Sequence, residues 1–109
     1  MTFFQGSKTA TSTSAEDSLF DIDDNEVYYS TWLYLSDMEA ADTVIIRVYV
    51  DDPVDTADVP YIEETKSGVQ SISAYFIPTI PSRDYKVTIQ QTTTDAGGFK
   101  TFNWRRVET

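Results

Sequence analysis

The sequence alternates most clearly at residues 43–50, which read TVIIRVYV. Successive side chains of a β-strand point to opposite faces, so the β-branched residues Val44, Ile46 and Val48 share one face. Residues 85–92, with the sequence YKVTIQQT, alternate in the same way. Both patterns predict strands that turn one face to a core.

Further strand signals lie on both sides of these two stretches. They cover residues 27–35, 61–66, 69–77 and 99–107. No segment of ten or more residues has helical periodicity, and Gly or Pro signals separate the runs. We therefore expect an all-β fold, an antiparallel β-sandwich of about seven strands, with a jelly roll or a small barrel as the alternative topology. Its core should contain Ile46, Val48, Val87, Ile89 and Trp104.

The first residues of the chain differ from the rest. Residues 2–17 are rich in Ser and Thr and have no clear period, yet they begin with two aromatic residues, Phe3 and Phe4. Such a segment buries too little apolar surface to order itself. The segment suits an arm or an edge strand that becomes ordered only against a partner. We predict that residues 1–17 form a flexible or partner-docked arm and that residues 18–109 form a single sandwich domain. Phe3 and Phe4 are then candidates for an interface.

The charge of the chain restricts its partners. It has 18 acidic and 8 basic residues, which gives a net charge of −10, and only 4 of the basic residues are Lys. Phosphate binding needs clustered Lys and Arg, so nucleic acid is not an expected partner. No apolar run is long enough to span a membrane. Because salt screens repulsion among carboxylates, an Asp-rich and Lys-poor surface also suits a halophilic source.

Composition argues against an enzyme. The chain contains neither His nor Cys, which removes the commonest general base and the thiol nucleophile. Glu63 and Glu64 form the obvious carboxylate pair, but neighbours on a strand point to opposite faces and do not converge on one bond. No cofactor is expected.

Two acidic clusters are weak candidates for a loosely bound cation. Residues 21–26 begin with oxygen ligands at alternate positions, but Glu26 and Trp32 occupy the places where a calcium loop has its Gly and its bidentate Glu. The alternative for both clusters is a solvated acidic loop. The candidate ligands are Asp21, Asp23 and Asn25 in the first cluster and Asp51, Asp52 and Asp55 in the second.

An aromatic stripe follows the strand predicted at residues 27–35. Tyr28, Trp32 and Tyr34 share one face, and the other face is also apolar, so we expect this strand to be covered on both sides. The stripe suits core packing, an oligomer interface or stacking on sugar rings. The basic residues of the C-terminal third, Arg105 and Arg106 among them, either balance neighbouring strands or pair with an acidic loop of another copy.

Several short blocks resemble a known group of proteins. They are LSDMEAADTVIIRVY at residues 35–49, ETKSGVQ at 64–70, YKVTIQQT at 85–92 and FNW at 102–104. In this order they are similar to small β-sandwich proteins encoded among the virion genes of tailed viruses of archaea and bacteria. The chain departs from that pattern at Ala41, where Gly is usual. The resemblance implies a capsid-surface or tail-associated protein and no catalytic residue.

These observations together favour a non-enzymatic virion structural protein, a capsid-surface or decoration component of a tailed virus from a halophilic host. It would be assembled into particles in the host cytoplasm. Its partners would be its own copies, in a homo-oligomer, and other virion proteins. The alternative is a carbohydrate-binding or adhesion module on a virion or cell surface, which would bind glycans as a monomer.

Overall fold

The structure, a computed structural model, describes residues 1–54 and 58–109 and has eight β-strands within them. They are β1 (Thr2–Thr9), β2 (Asp17–Ile22), β3 (Val27–Tyr34), β4 (Thr43–Val50), β5 (Val59–Ser67), β6 (Ala74–Ser82), β7 (Tyr85–Thr93) and β8 (Thr101–Glu108). No residue of the described ranges lies in a helix, which confirms the all-β prediction. These ranges accordingly hold no helix of the length and apolar character that crossing a bilayer requires.

The strands form two four-stranded antiparallel sheets. Sheet A has the order β1-β8-β3-β6 and sheet B the order β2-β7-β4-β5. Each of the first four strands pairs with the strand at the same position counted back from the C-terminus: β1 with β8, β2 with β7, β3 with β6 and β4 with β5. This nested pairing is the strand order of a jelly roll. The predicted antiparallel sandwich is confirmed, and its topology is the jelly-roll alternative.

The two most regular strands lie side by side at the centre of sheet B. Ile46 of β4 is opposite Ile89 of β7, and Val48 is opposite Val87. All four side chains are fully buried, as the alternation predicted. Burying each such side chain contributes roughly 1.5–3 kcal/mol. This central pair of strands therefore supplies four fully buried side chains to the core.

The inner face of sheet A closes the core with aromatic rings. Tyr29 stacks on Tyr85 of sheet B with ring centroids 4.5 Å apart and planes 7° from parallel. Burial raises the pKa of Tyr85 to about 12. Trp104, which the sequence placed in the core, is only partly buried and packs against Phe20 at 4.8 Å. Aromatic packing thus joins the two sheets.

The N-terminal segment is part of the sandwich and not a separate arm. Residues 2–9 pair with β8 along their whole length as β1, and β2 begins at Asp17. Because a ladder of main-chain hydrogen bonds does not depend on the side chains, the Ser and Thr content does not prevent pairing. Phe4 adds an inward contact, with its ring 4.3 Å from the Arg106 guanidinium.

The sixth strand also differs from its prediction. The sequence placed a strand at residues 69–77 and ended it at Pro78, whereas β6 spans Ala74–Ser82 and continues through that proline. A proline is tolerated in an edge strand because its missing N–H can face solvent. A shift of register between Tyr29 and Thr31 of the neighbouring strand accompanies it. Val69, predicted within this strand, is exposed in the preceding loop.

Candidate functional site

The outward side of sheet A carries a cluster of large apolar side chains. Tyr29, Thr31 and Leu33 of β3 point into the core, so the intervening residues point outward. We call this surface the aromatic face. Its large residues are Phe3, Tyr28, Trp32, Tyr34 and Phe76.

The aromatic face is open to solvent in the single chain. Phe3 is 63%, Tyr28 54% and Phe76 46% exposed, and Trp32 and Tyr34 are partly buried. The sequence predicted that β3 is covered on both sides, but among the described residues only its inner side is covered. Exposed apolar surface of this extent marks an interaction site more often than a solvated surface.

Pairing between strands orders the centre of the aromatic face. Trp32 lies opposite Phe76 on one side and opposite Arg105 on the other. The Trp32 and Phe76 ring centroids are 5.0 Å apart with their planes at 43°. Aromatic neighbours in such tilted contact hold each other's rotamers, so the face is a preformed surface.

The described strand positions of the aromatic face carry no acidic side chain, although the chain has a net charge of −10. The Asp37 carboxylate lies at one end of this face, where it accepts a hydrogen bond from the main-chain N–H of Thr101 at 3.1 Å. The strand positions that share this side by register are Phe3, Gln5, Ser7, Thr9, Tyr28, Ser30, Trp32, Tyr34, Ala74, Phe76, Pro81, Thr101, Asn103, Arg105 and Val107. Arg105 is the one charged residue among them. Another acidic protein can therefore approach the chain here with less repulsion than elsewhere.

A depression of about 580 Å³ lies at the end of the aromatic face next to Tyr34. Its lining residues are Gln5, Gly6, Ser7, Tyr34, Ser36, Asn103, Trp104 and Arg105. Amide, hydroxyl and guanidinium groups thus surround an aromatic ring, a combination that can orient a polar ligand.

The structure gathers five of the seven predicted interface residues on the aromatic face: Phe3, Tyr28, Trp32, Tyr34 and Arg105. The other two, Phe4 and Arg106, point inward. Arg106 is 5% exposed, lies 4.5 Å from the Phe20 ring and donates a hydrogen bond to Glu108 at 3.0 Å. Arg106 follows Arg105 on the strand and takes the opposite face, so it does not lie on the aromatic face.

The first acidic cluster is only partly assembled. Carboxylate oxygens of Asp21 and Asp23 lie within 4.8 Å of one another and of Asp58, which the sequence analysis did not include. Burial and the neighbouring carboxylates, Asp84 first among them, raise the pKa of Asp58. The side chain of Asn25 donates a hydrogen bond from Nδ2 to Glu108 at 2.9 Å. Since Ca²⁺ takes roughly six to eight oxygen ligands, main-chain carbonyls or waters would have to complete a site built on these three carboxylates.

The second acidic cluster supports its own loops. Asp51 Oδ1 accepts hydrogen bonds from Ser82 Oγ at 2.5 Å and from the main-chain N–H of Arg83 at 2.7 Å. These bonds lower the pKa of Asp51 to about 2. Asp52 accepts from the N–H of Val54 at 2.9 Å. Asp55 lies outside the described residues.

A buried ion pair joins two turns at one end of the sandwich, and the sequence analysis missed it. Asp42 accepts hydrogen bonds from the N–H groups of Glu39 and Asp95, each at 2.7 Å, and Lys100 Nζ lies 3.3 Å from it. Burial alone would raise the pKa of Asp42, but these partners outweigh it and hold the pKa below its ordinary value. The residues are far apart in sequence, so no local pattern reveals the pair. Its role is to fix the turns.

A comparison of the chain with protein-family models found no match, and a comparison with curated proteins also found none. The resemblance to small virion proteins therefore stays a prediction. The aromatic face is the surface on which a function can be argued.

Proposed function

We propose that this chain is a non-enzymatic virion structural protein that acts through protein–protein contacts made by its aromatic face. In its specific form, the proposal is a capsid-surface or decoration component of a tailed virus from a halophilic host. The observation that carries it is a sheet face with five large aromatic residues and no acidic residue at its described strand positions, on a chain with a net charge of −10.

The size of the aromatic face suits a protein partner. Four strands spaced ~4.8 Å apart and eight residues long, at ~3.4 Å each, span about 500 Å². A stable interface covers roughly 800 Å² on each partner, and the edges of the sheet would supply the remainder. Aromatic residues with one Arg in a setting depleted of acids are typical of the centre of such interfaces.

The virion assignment has two further supports. The jelly roll is an architecture of viral capsid domains, but also of lectins, so the argument from fold is one of analogy. The blocks that resemble virion proteins lie in β4, β5, β7, β8 and the turns beside them. These blocks consist mainly of residues in the core and the turns. They therefore support the fold type more directly than they support the aromatic face as a contact surface.

The carboxylates whose pKa values are lowered, Glu16, Asp42 and Asp51, have hydrogen-bond partners within the chain, in keeping with a structural role. Asp51 binds the main chain of a neighbouring loop, and Asp42 fixes two turns. Glu16 accepts hydrogen bonds from Thr88 at 2.6 Å and from Tyr49 at 2.5 Å. Each carboxylate thus contributes to stability through a contact within the chain.

The test of this proposal begins with virus particles purified from the source culture in molar NaCl. We expect mass spectrometry to detect the chain in intact particles and to find it depleted from the soluble fraction. Recombinant protein should also bind particles from which the native chain has been stripped. A chain found only outside purified particles would overturn the virion assignment.

The depression beside Tyr34 favours a second candidate function, carbohydrate binding. Asn103, Gln5 and Arg105 can donate hydrogen bonds to hydroxyl groups next to a ring on which a sugar can stack. Tryptophan fluorescence titrated with a glycan panel tests this function. If it holds, Asn103→Ala should abolish the glycan response and leave particle binding unchanged; the virion proposal predicts no glycan response in the wild type.

A further inference from the structure

The two sheets end in four edge strands, and three of these are protected against pairing with another chain. On sheet A, β6 contains Pro78 and Pro81. On sheet B, β2 has six residues and a shift of register between Ser18 and Phe20. The fourth edge strand, β5, contains Pro60 near its start and two adjacent Glu residues. Prolines, bulges, short length and charges are the usual means by which a sheet edge avoids pairing.

The remaining edge, β1, has only one of these devices, a single charged side chain. It spans Thr2–Thr9, pairs with β8 in unbroken register and contains no proline. Lys8 is its one charged side chain. A long and regular edge strand of this kind is a template for strand addition.

The register shows which main-chain groups of β1 face outward. The N–H of Ala10 donates to the carbonyl of Lys100 at 3.1 Å, and hydrogen-bonded pairs alternate along an antiparallel ladder. The bonds to β8 therefore come from every second residue of β1: Thr2, Phe4, Gly6 and Lys8. The N–H and C=O groups of Phe3, Gln5, Ser7 and Thr9 point away from β8, and the described residues offer them no main-chain partner.

We propose that two copies of the chain pair through β1 in antiparallel orientation and form one continuous eight-stranded sheet. The outward-directed residues must then lie opposite one another, with Phe3 facing Thr9 and Gln5 facing Ser7 of the second copy. This register places Gly6 opposite Gly6 on the two-fold axis. It uses all four outward-directed residues of each strand, which gives about eight intermolecular hydrogen bonds.

The strand is complementary to itself in this register. Lys8 faces Phe4 of the second copy, so no like charges oppose each other. Opposite residues that are not hydrogen-bonded approach most closely, and the pair on the axis is Gly6, which has no side chain. Within its own chain Gly6 already lies against Trp104, because an added Cβ would be 2.8 Å from the indole ring. A strand that has a single charged side chain and is complementary to itself favours a second copy as the occupant of this edge.

The dimer would place both aromatic faces on one side of the continuous sheet, since side chains of paired residues point the same way. It does not depend on the proposed function, because pairing uses the main-chain groups of β1, whereas the proposed contacts use the side chains of the aromatic face. Each copy carries a net charge of −10, so mutual repulsion opposes pairing and salt should strengthen it.

Sedimentation equilibrium of the purified chain in molar NaCl tests the dimer. Gln5→Pro removes one outward N–H and leaves the hydrogen bonds to β8 intact, so we expect the dissociation constant to rise at least tenfold. Gln5→Thr keeps the N–H and is the matched control, expected to dimerise as the wild type does. A wild type that stays monomeric at high concentration, or a dimer that Gln5→Pro leaves intact, would overturn the proposal.

Cysteine pairing tests the register without relying on proline. The natural chain contains no cysteine. A mixture of Gln5→Cys and Ser7→Cys chains should form a disulfide-linked heterodimer on mild oxidation, because these residues face each other at about 5.5 Å between Cα atoms. Gln5→Cys alone should cross-link several-fold less. Equal cross-linking in both samples would contradict the register. A Trp32→Ser variant should remain dimeric, so failure of the aromatic-face proposal is distinguishable from failure of this one.

Discussion

The outward sides of the two sheets differ in whether their side chains find partners within the same chain. On sheet B, Arg47 lies 2.7 Å from Glu63, and the segment before β2 brings Glu16 to Thr88 and Tyr49. Polar groups on this side thus find partners within the chain. The aromatic face of sheet A has large rings, one Arg and two hydroxyl–hydroxyl bonds along the strands. The difference indicates that the outward side chains of sheet B are satisfied within the chain and that sheet A presents a surface to another molecule.

The largest expected effect concerns the core, where the two sheets should behave alike. Ile89→Ala behind sheet B and Leu33→Ala behind sheet A each remove a fully buried side chain. Each should lower the free energy of unfolding by about 2–5 kcal/mol, measured by urea denaturation. If the Leu33 variant loses much less unfolding free energy than the Ile89 variant, the two sheets contribute differently to the core. Differences between their outer faces could then not be compared on an equal footing.

A second pair of variants should distinguish the two outer faces by how much unfolding free energy each variant loses. Glu16→Ala leaves Thr88 and Tyr49 without their acceptor and should lower the free energy of unfolding by about 1–3 kcal/mol. Phe76→Ser on the aromatic face should cost less than about 1 kcal/mol, because the ring is half exposed. Glu26→Ala, which also removes one negative charge, serves as the control and should be nearly neutral. Equal losses of unfolding free energy for Glu16→Ala and Phe76→Ser would mean that the side chains of both faces are satisfied within the chain.

Acid should weaken the structure through carboxylates with internal partners. The folded pKa of Asp51 is about 2, below its ordinary value of 3.8. A depressed folded pKa contributes stability that is present above the unfolded pKa and is lost as pH falls through the folded one. We therefore expect the free energy of unfolding to fall between about pH 4 and pH 2, and Asp51→Asn to flatten part of that fall. An unchanged acid profile in this variant would contradict the assigned role of Asp51.

Salt should produce the smallest effect. Asp21, Asp23 and Asp58 lie close together, and repulsion from its neighbours helps to raise the pKa of Asp58. Raising NaCl from 0.1 M to molar should stabilise the chain by roughly 1 kcal/mol, or roughly 4–8 °C in the unfolding midpoint. The Asp21→Asn/Asp23→Asn variant should show a weaker salt response. A flat midpoint in the wild type would remove the support for a halophilic source.

The sequence predicted those parts of the fold that an alternating pattern encodes. Ile46, Val48, Val87 and Ile89 are buried as expected, because each lies on the apolar side of a regular strand. β1 was expected only as an arm or an edge strand without clear periodicity, because main-chain pairing with β8, and not its side chains, holds it in the sheet. Partners that meet from distant segments, such as the ion pair at the turns, leave no local signal.

Five residues of the candidate site were predicted from the sequence, but Phe76 and the arrangement of the site were not. Tyr28, Trp32 and Tyr34 stand on one side of β3 by alternation alone. That Phe3, Phe76 and Arg105 join them depends on which strands flank β3, and strand order is not encoded locally. The sequence therefore indicated an aromatic stripe, and the topology makes it a face.

Particle binding by surface variants tests most directly that the aromatic face is the contact surface. The measurement is co-sedimentation of the chain with stripped particles in molar NaCl, comparing Trp32→Ser/Phe76→Ser with Tyr61→Ser, which replaces an exposed aromatic residue on β5. The account predicts at least a tenfold loss of affinity for the double variant and unchanged binding for Tyr61→Ser. Equal binding by both variants, with both folded, would contradict it.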